Sequence, residues 1–363
     1  MNMVSHNGET YPTSDLRWRS DSGALLDLDF QPRLTADSLS GRNRTMWRYR
    51  EAIPIENDAD IVSFDEGFTP LTPHVIAGST FLLKQDHLFP TGSYKDRGAS
   101  VLISQAKALG VDRVVEDSSG NAGAAVAAYC ARAGIQCDIY VPDSTSPAKL
   151  EQIASYGAEL HRIPGSREDT ADAALNAAEG HFYASHVWNP YFFHGTKTFA
   201  YEVWEQLGHS APDEILIPTG NGTLLIGAHI GFGELLAAGL IDRIPGLIGV
   251  QAENCCPLFQ MWEQNLDHLP IRENTPTTAE GIAIATPARA KQIVDIIRST
   301  GGQLVTVSET EIRSAYDIMN RSGWFIEPTS ASAIAAAHRR PHAEDKTVVI
   351  PLTGHGLKSA GKI

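Results

Sequence analysis

Lys95 stands at the head of a predicted helix in the run Pro90-Thr91-Gly92-Ser93-Tyr94-Lys95-Asp96-Arg97-Gly98. A lysine so placed can form a Schiff base with an aldehyde, because the positive end of a helix and the adjacent Arg97 both disfavour the ammonium form. By itself a first-turn lysine is as readily a solvated side chain. Three further segments, in fixed order, single it out.

Asp117-Ser118-Ser119-Gly120-Asn121-Ala122-Gly123 joins a predicted strand to a helix of small residues. N–H groups at such a helix start bind a carboxylate, although Ser and Asn are also ordinary caps. Pro218-Thr219-Gly220-Asn221-Gly222-Thr223-Leu224 is a second strand-to-helix turn, whose glycines let backbone N–H groups converge on a phosphate dianion. Near the end, the apolar run Thr347 to Ile350 enters the turn Pro351-Leu352-Thr353-Gly354-His355-Gly356-Leu357-Lys358. The Thr353 hydroxyl can meet a ring nitrogen or simply cap the turn.

Alternating strand and helix patterns must position these turns. Strands are predicted at Phe81 to Lys84, Arg113 to Glu116, Cys137 to Val141, Ile215 to Pro218, Leu247 to Gln251, Leu304 to Val307 and Thr347 to Ile350. Helices are predicted at Ala122 to Arg132, Pro147 to Tyr156, Thr170 to Glu179, Thr196 to Leu207 and Ser308 to Arg321, with Ser146 capping the one that starts at Pro147. This pattern implies an α/β fold of two domains with twisted, mostly parallel sheets flanked by helices. The first forty or so residues read instead as a polar arm with one hairpin.

The 363 residues suffice for two full cores, and the net charge of −14 opposes a nucleic-acid partner. No membrane span or apolar leader is evident, so a cytoplasmic protein is expected. Cys130, Cys137, Cys255 and Cys256 form no CxxC pair, which supports neither a disulfide framework nor a metal. Adjacent Cys255 and Cys256 read as packed hydrophobes rather than a redox switch.

Together the four segments resemble the fold-type II pyridoxal-phosphate enzymes of the tryptophan synthase beta superfamily, most closely threonine synthase, from about Arg48 to Lys358. Gly239 to Pro245, Gly249-Val250-Gln251-Ala252 and Glu327-Pro328-Thr329-Ser330-Ala331-Ser332 carry further similarity. The resemblance implies pyridoxal 5'-phosphate on Lys95, which then shuttles protons as a free amine. Asn121 would meet the cofactor's ring hydroxyl, and the backbone of Ser119, Gly120, Asn121 and Ala122 the substrate carboxylate. Gly220, Asn221, Gly222 and Thr223 would hold the cofactor phosphate, and Thr353 the pyridine nitrogen. It also implies a homodimer, a large cofactor domain of residues 46–97 plus 187–363, and a small mobile domain of 98–186 behind an arm of 1–45. In that arm Ser20 and Ser22 stand where some relatives carry the cysteines of a metal knuckle, so no metal is expected.

Where this family carries an Arg that grips the substrate phosphate, Phe192 stands here, in Asn189-Pro190-Tyr191-Phe192-Phe193-His194-Gly195-Thr196-Lys197. Leu224 replaces a second phosphate-facing Asn, and Ala122 makes the asparagine loop more like that of serine/threonine dehydratases. Two lost charge-assisted contacts, about 1.5 to 3 kcal/mol each, would weaken a phosphorylated substrate by roughly two to four decades unless Lys197 or His194 substitutes. His194 could otherwise serve as an acid or base near neutral pH. Phe192, His194 and Lys197 are therefore the candidate contacts for the substrate's distal end. The expected reaction is elimination or replacement at the β or γ carbon of a small amino acid. Threonine synthesis from O-phosphohomoserine is the alternative, and a non-catalytic binder of the cofactor or of a metabolite, which the presence of Lys95 opposes, is the rival of another class.

Overall fold

The computed structural model describes residues 1–145, 147–165, 167–270 and 274–359; Ser146, the expected cap, lies outside them. Its strands are β1 (Asn2–Ser5), β2 (Thr10–Pro12), β3 (Leu26–Leu28), β4 (Leu71–Ile76), β5 (Ser79–Lys84), β6 (Arg113–Glu116), β7 (Gln136–Pro142), β8 (Glu159–Ile163), β9 (Phe182–Tyr183), β10 (Glu214–Pro218), β11 (Gly246–Ala252), β12 (Gln303–Val307) and β13 (Val348–Pro351). Its helices are α1 (Lys95–Ala108), α2 (Asn121–Ala133), α3 (Pro147–Ser155), α4 (Arg167–Ala177), α5 (Pro190–Thr196), α6 (Thr198–Gln206), α7 (Thr223–Ala237), α8 (Pro257–Glu263), α9 (Ala290–Ser299), α10 (Glu309–Arg321) and α11 (Pro328–His338).

The chain forms two compact units, residues 1–66 with 95–196 and residues 67–94 with 197–363. The first contains a parallel sheet in the order β8-β7-β6-β9 and a small antiparallel sheet, β2-β1-β3. The second contains the sheet β12-β11-β10-β13-β5-β4, parallel except for the β4–β5 hairpin. Its central strands are continuous apolar runs, as strands covered on both faces must be, and Ile215, Leu216 and Ile217 of β10 are fully buried.

These boundaries differ from the sequence-based ones. The arm, residues 46–66, residues 95–97 and residues 187–196 all belong to the first unit. Packing explains the difference. The Val62 N–H donates to Ser104 Oγ at 2.8 Å, and Ser100 Oγ donates to the Val62 carbonyl at 2.7 Å, which fastens the 46–66 segment to α1. Helix α5 is pressed against the same α1 by glycine contacts described below. The helix expected over Thr196 to Leu207 is interrupted at Lys197, which caps α6 after α5 has ended at Thr196.

In the arm, Ser20 and Ser22 hydroxyls lie 2.9 Å apart, and Ser22 Oγ donates to Glu9 Oε2 at 2.6 Å. Ser5 and Tyr11 hydroxyls and the Ser22 N–H also donate to Glu9. Hydrogen bonding from Ser22 first, then from Ser20 and Tyr11, holds the Glu9 carboxyl down at about 2. A depressed carboxyl contributes stability above its unfolded value and loses it as pH falls towards the folded one. Hydrogen-exchange protection of the Asp21 and Ser22 amides should therefore be present at pH 5 and fade below about pH 3. Glu9→Gln should show weak protection at both values; protection equal to wild type at pH 5 would remove Glu9 from this role.

Candidate active site

In the first unit, Lys95 opens α1 and is half-buried, with Nζ 5.5 Å from the centroid of the Phe192 ring. Two glycines make this arrangement possible. A Cβ on Gly98 would strike the Phe192 ring, and one on Gly195 would strike the carbonyl of Arg97, so α1 and α5 meet almost backbone to backbone. Phe192 is consequently core, with no exposed surface, rather than an open pocket wall.

The end of β6 leads into the asparagine loop. Gly120 is the N-cap of α2 and supplies no side-chain cap, so the first-turn N–H groups at Asn121, Ala122 and Gly123 have no carbonyl partner within the helix. A Cβ on Gly123 would overlap the Ser118 carbonyl, which lies over that first turn. Ser119 and Asn121 are half-buried, Gly120 is exposed and Ala122 is buried. Such a helix start suits a carboxylate and is reachable from solvent.

Beneath the loop, Glu116 ends β6 with its carboxyl fully enclosed and Oε1 3.0 Å from His186 Nδ1. Burial, then the charge of Asp117, pushes Glu116 well above the usual carboxylate range. His186 in turn meets the Phe192 ring edge-on at 5.9 Å.

In the second unit, three segments leave the carboxyl ends of adjacent strands. Register pairs Glu214 of β10 with Val348 of β13, and Pro351 of β13 with Lys84 of β5. Strand order reverses here, the usual place for a ligand in an open α/β sheet. After β10, Gly222 takes a left-handed φ of 69° as the N-cap of α7, leaving the helix start without a side-chain cap. A Cβ on Gly222 would strike Ile293, and one on Gly220 would press on Ile284 and Ile282. The loop is thus backbone by necessity, and its donor set fits a phosphate dianion.

The segment after β5 brings Tyr94, whose hydroxyl lies 2.8 Å from Thr223 Oγ1 and whose N–H donates to the Thr353 carbonyl at 3.1 Å. After β13, Thr353 is buried, with Oγ1 3.0 Å from Ser330 Oγ. Nearby, burial and then the stacked His355 ring lower His87 to about 4, with Asp86 opposing.

The other distal-end candidates are committed to neighbours. His194 is buried with its ring edge-on to Phe30 at 5.7 Å. Lys197 is fully buried with Nζ 2.8 Å from Glu234 Oε1, and Tyr201 also donates to Glu234. Burial lowers the Lys197 ammonium and Glu234 opposes the shift. Tyr94, Ser330, Glu116 and His186 are contacts that sequence reasoning did not assign. Tyr94 lies within the Pro90 to Gly98 motif and Ser330 within Glu327 to Ser332, and their hydroxyls are the available signal in the sequence.

A family model described as pyridoxal-phosphate dependent enzyme matches residues 62–354. The chain belongs to that family. It is 32% identical to the threonine synthase of Methanocaldococcus jannaschii over 368 aligned positions, covering 97% of this chain and 91% of the relative. It is 35% identical to that of Synechocystis sp., covering 85% and 82%. Among solved structures, a T.th. threonine deaminase superposes with a TM-score of 0.67 at 26% identity, covering 79% of this chain and 92% of that one. The protein is a pyridoxal-phosphate-dependent, threonine synthase-like lyase of the fold-type II group. Among the described residues no helix is long and apolar enough to cross a membrane.

Gly98→Ala tests the α1–α5 contact. Alanine favours a helix interior by about 1 kcal/mol over glycine, but overpacking costs about 1–3 kcal/mol. The variant should lower the urea midpoint, and Phe192→Leu in the same chain should recover most of the loss. A Gly98→Ala protein more stable than wild type would contradict the packing.

Proposed function

We propose that Lys95 holds pyridoxal phosphate covalently and that the enzyme eliminates or replaces a β or γ substituent of a small, unphosphorylated amino acid. The cofactor supplies an electron sink for charge developing at the substrate's α-carbon. In this reading the first turn of α2, Ser119 to Ala122, orients the substrate carboxylate, and Asn121 also meets the ring hydroxyl. Gly220 to Thr223 hold the phosphate, with Tyr94 bracing Thr223. Lys95 Nζ takes the α-proton and returns it, and Thr353 meets the ring nitrogen. A cytoplasmic homodimer is part of the same proposal.

The observation that carries the substrate class is Lys197, fully buried on Glu234 at 2.8 Å. A cation already paired there offers little to a substrate phosphate, and Phe192 and Leu224, both buried, bring no charge of their own. Threonine synthesis from O-phosphohomoserine is the second reading, favoured by relatives of that name matching nearly the whole chain.

Single-turnover assays with serine, threonine, their O-acetylated analogues and O-phosphohomoserine separate the two. The first reading expects ammonia or acetate release from an unphosphorylated substrate at least tenfold faster than phosphate release. Rapid formation of threonine and phosphate would overturn it. Lys95→Ala should abolish α-proton exchange with every substrate, because the proton's acceptor in this reading is the Lys95 amine itself.

A further inference from the structure

Ser330, in the first turn of α11, is fully buried beside the turn that follows β13. Its Oγ accepts the Thr353 N–H at 2.8 Å and the Gly354 N–H at 3.1 Å. A hydroxyl oxygen has two lone pairs, so both are filled and only its proton remains to be placed. Thr353 Oγ1 lies 3.0 Å away and the Gly354 carbonyl 3.5 Å away. The nearer acceptor takes the proton. Thr353 Oγ1 then accepts from Ser330 and must aim its own hydrogen elsewhere. The competing acceptor, Glu327 Oε1, lies at 3.4 Å, beyond the usual range of about 2.5–3.0 Å for such a bond.

We propose that Ser330 is a positioning residue that fixes Thr353 as a hydrogen-bond donor, so that the position beside Thr353 takes an unprotonated ring nitrogen and disfavours a protonated one. This rests on the reading that Thr353 meets the cofactor's ring. The register supports a fixed geometry, because the Glu327 N–H donates to the Gly354 carbonyl at 2.9 Å and Ile326 bridges His355. A Cβ on Gly354 would strike the Glu327 carboxyl, so α11 and the turn are in close contact.

The test is nitrogen NMR of holoenzyme loaded with cofactor labelled at the ring nitrogen. Wild type should show the shift of an unprotonated, hydrogen-bonded nitrogen. Ser330→Ala should move it towards the protonated value and weaken cofactor affinity by about fivefold, the scale of one neutral hydrogen bond. Ser330→Thr, which keeps the hydroxyl, should restore the wild-type shift. If Ser330→Ala does not fold, Ser330→Cys, whose thiol is a weak donor, should show the same displacement. A Ser330→Ala or Ser330→Cys shift identical to wild type, while Thr353→Ala moves it, would overturn the role of Ser330 alone. A signal indifferent to Thr353→Ala would instead overturn the reading on which the role rests.

Discussion

Everything proposed for Lys95 depends on the contact between α1 and α5. Gly98 and Gly195 let the two helices approach until side-chain space disappears, and Phe192 fills what remains. Lys95, at the first position of α1, is therefore mounted on a closely packed helix, with its amine over an aromatic face. A reactive lysine needs that precision, because proton transfer requires hydrogen-bond reach of the reacting atom. The same contact explains why the segment around Pro190 belongs to the first unit.

The chain carries a net charge of −14, yet its cofactor and substrate both present anions. In the proposed reading the local solution is backbone. Helix starts whose N-caps, Gly120 and Gly222, bring no side chain would supply the N–H donors, and the glycines around them are kept small by Ser118, Ile282, Ile284 and Ile293. Two buried lysines are paired with carboxylates: Lys84 with Glu202 at 2.6 Å and Lys197 with Glu234 at 2.8 Å. Breaking either pair would strand a buried charge, at a cost of about 3–5 kcal/mol. Both pairs join segments of the second unit.

Much of the fold was legible because strands buried on both faces must be apolar and must be followed by turns. β6, β7, β10, β11, β12 and β13 fall where Val and Ile runs put them, and the turns after β6, β10 and β13 carry the residues singled out beforehand. Contacts remote in sequence were not legible. Nothing local to Tyr94 announces Thr223, and nothing local to Ser330 announces the N–H groups of Thr353 and Gly354. Glu116 reads as an ordinary strand terminus, because His186 reaches it from far along the chain. The unit boundaries differ for the same reason, since Val62 and Phe192 reveal their attachment to α1 only in three dimensions.

The central claim is that Lys95 is the covalent anchor of the cofactor. Borohydride reduction of the holoenzyme followed by peptide mapping measures this directly. The account predicts one reduced, cofactor-bearing peptide, with the modification on Lys95 and none on Lys84 or Lys197. A modification on any other lysine, or no trapped cofactor in a protein that binds it, would contradict the account.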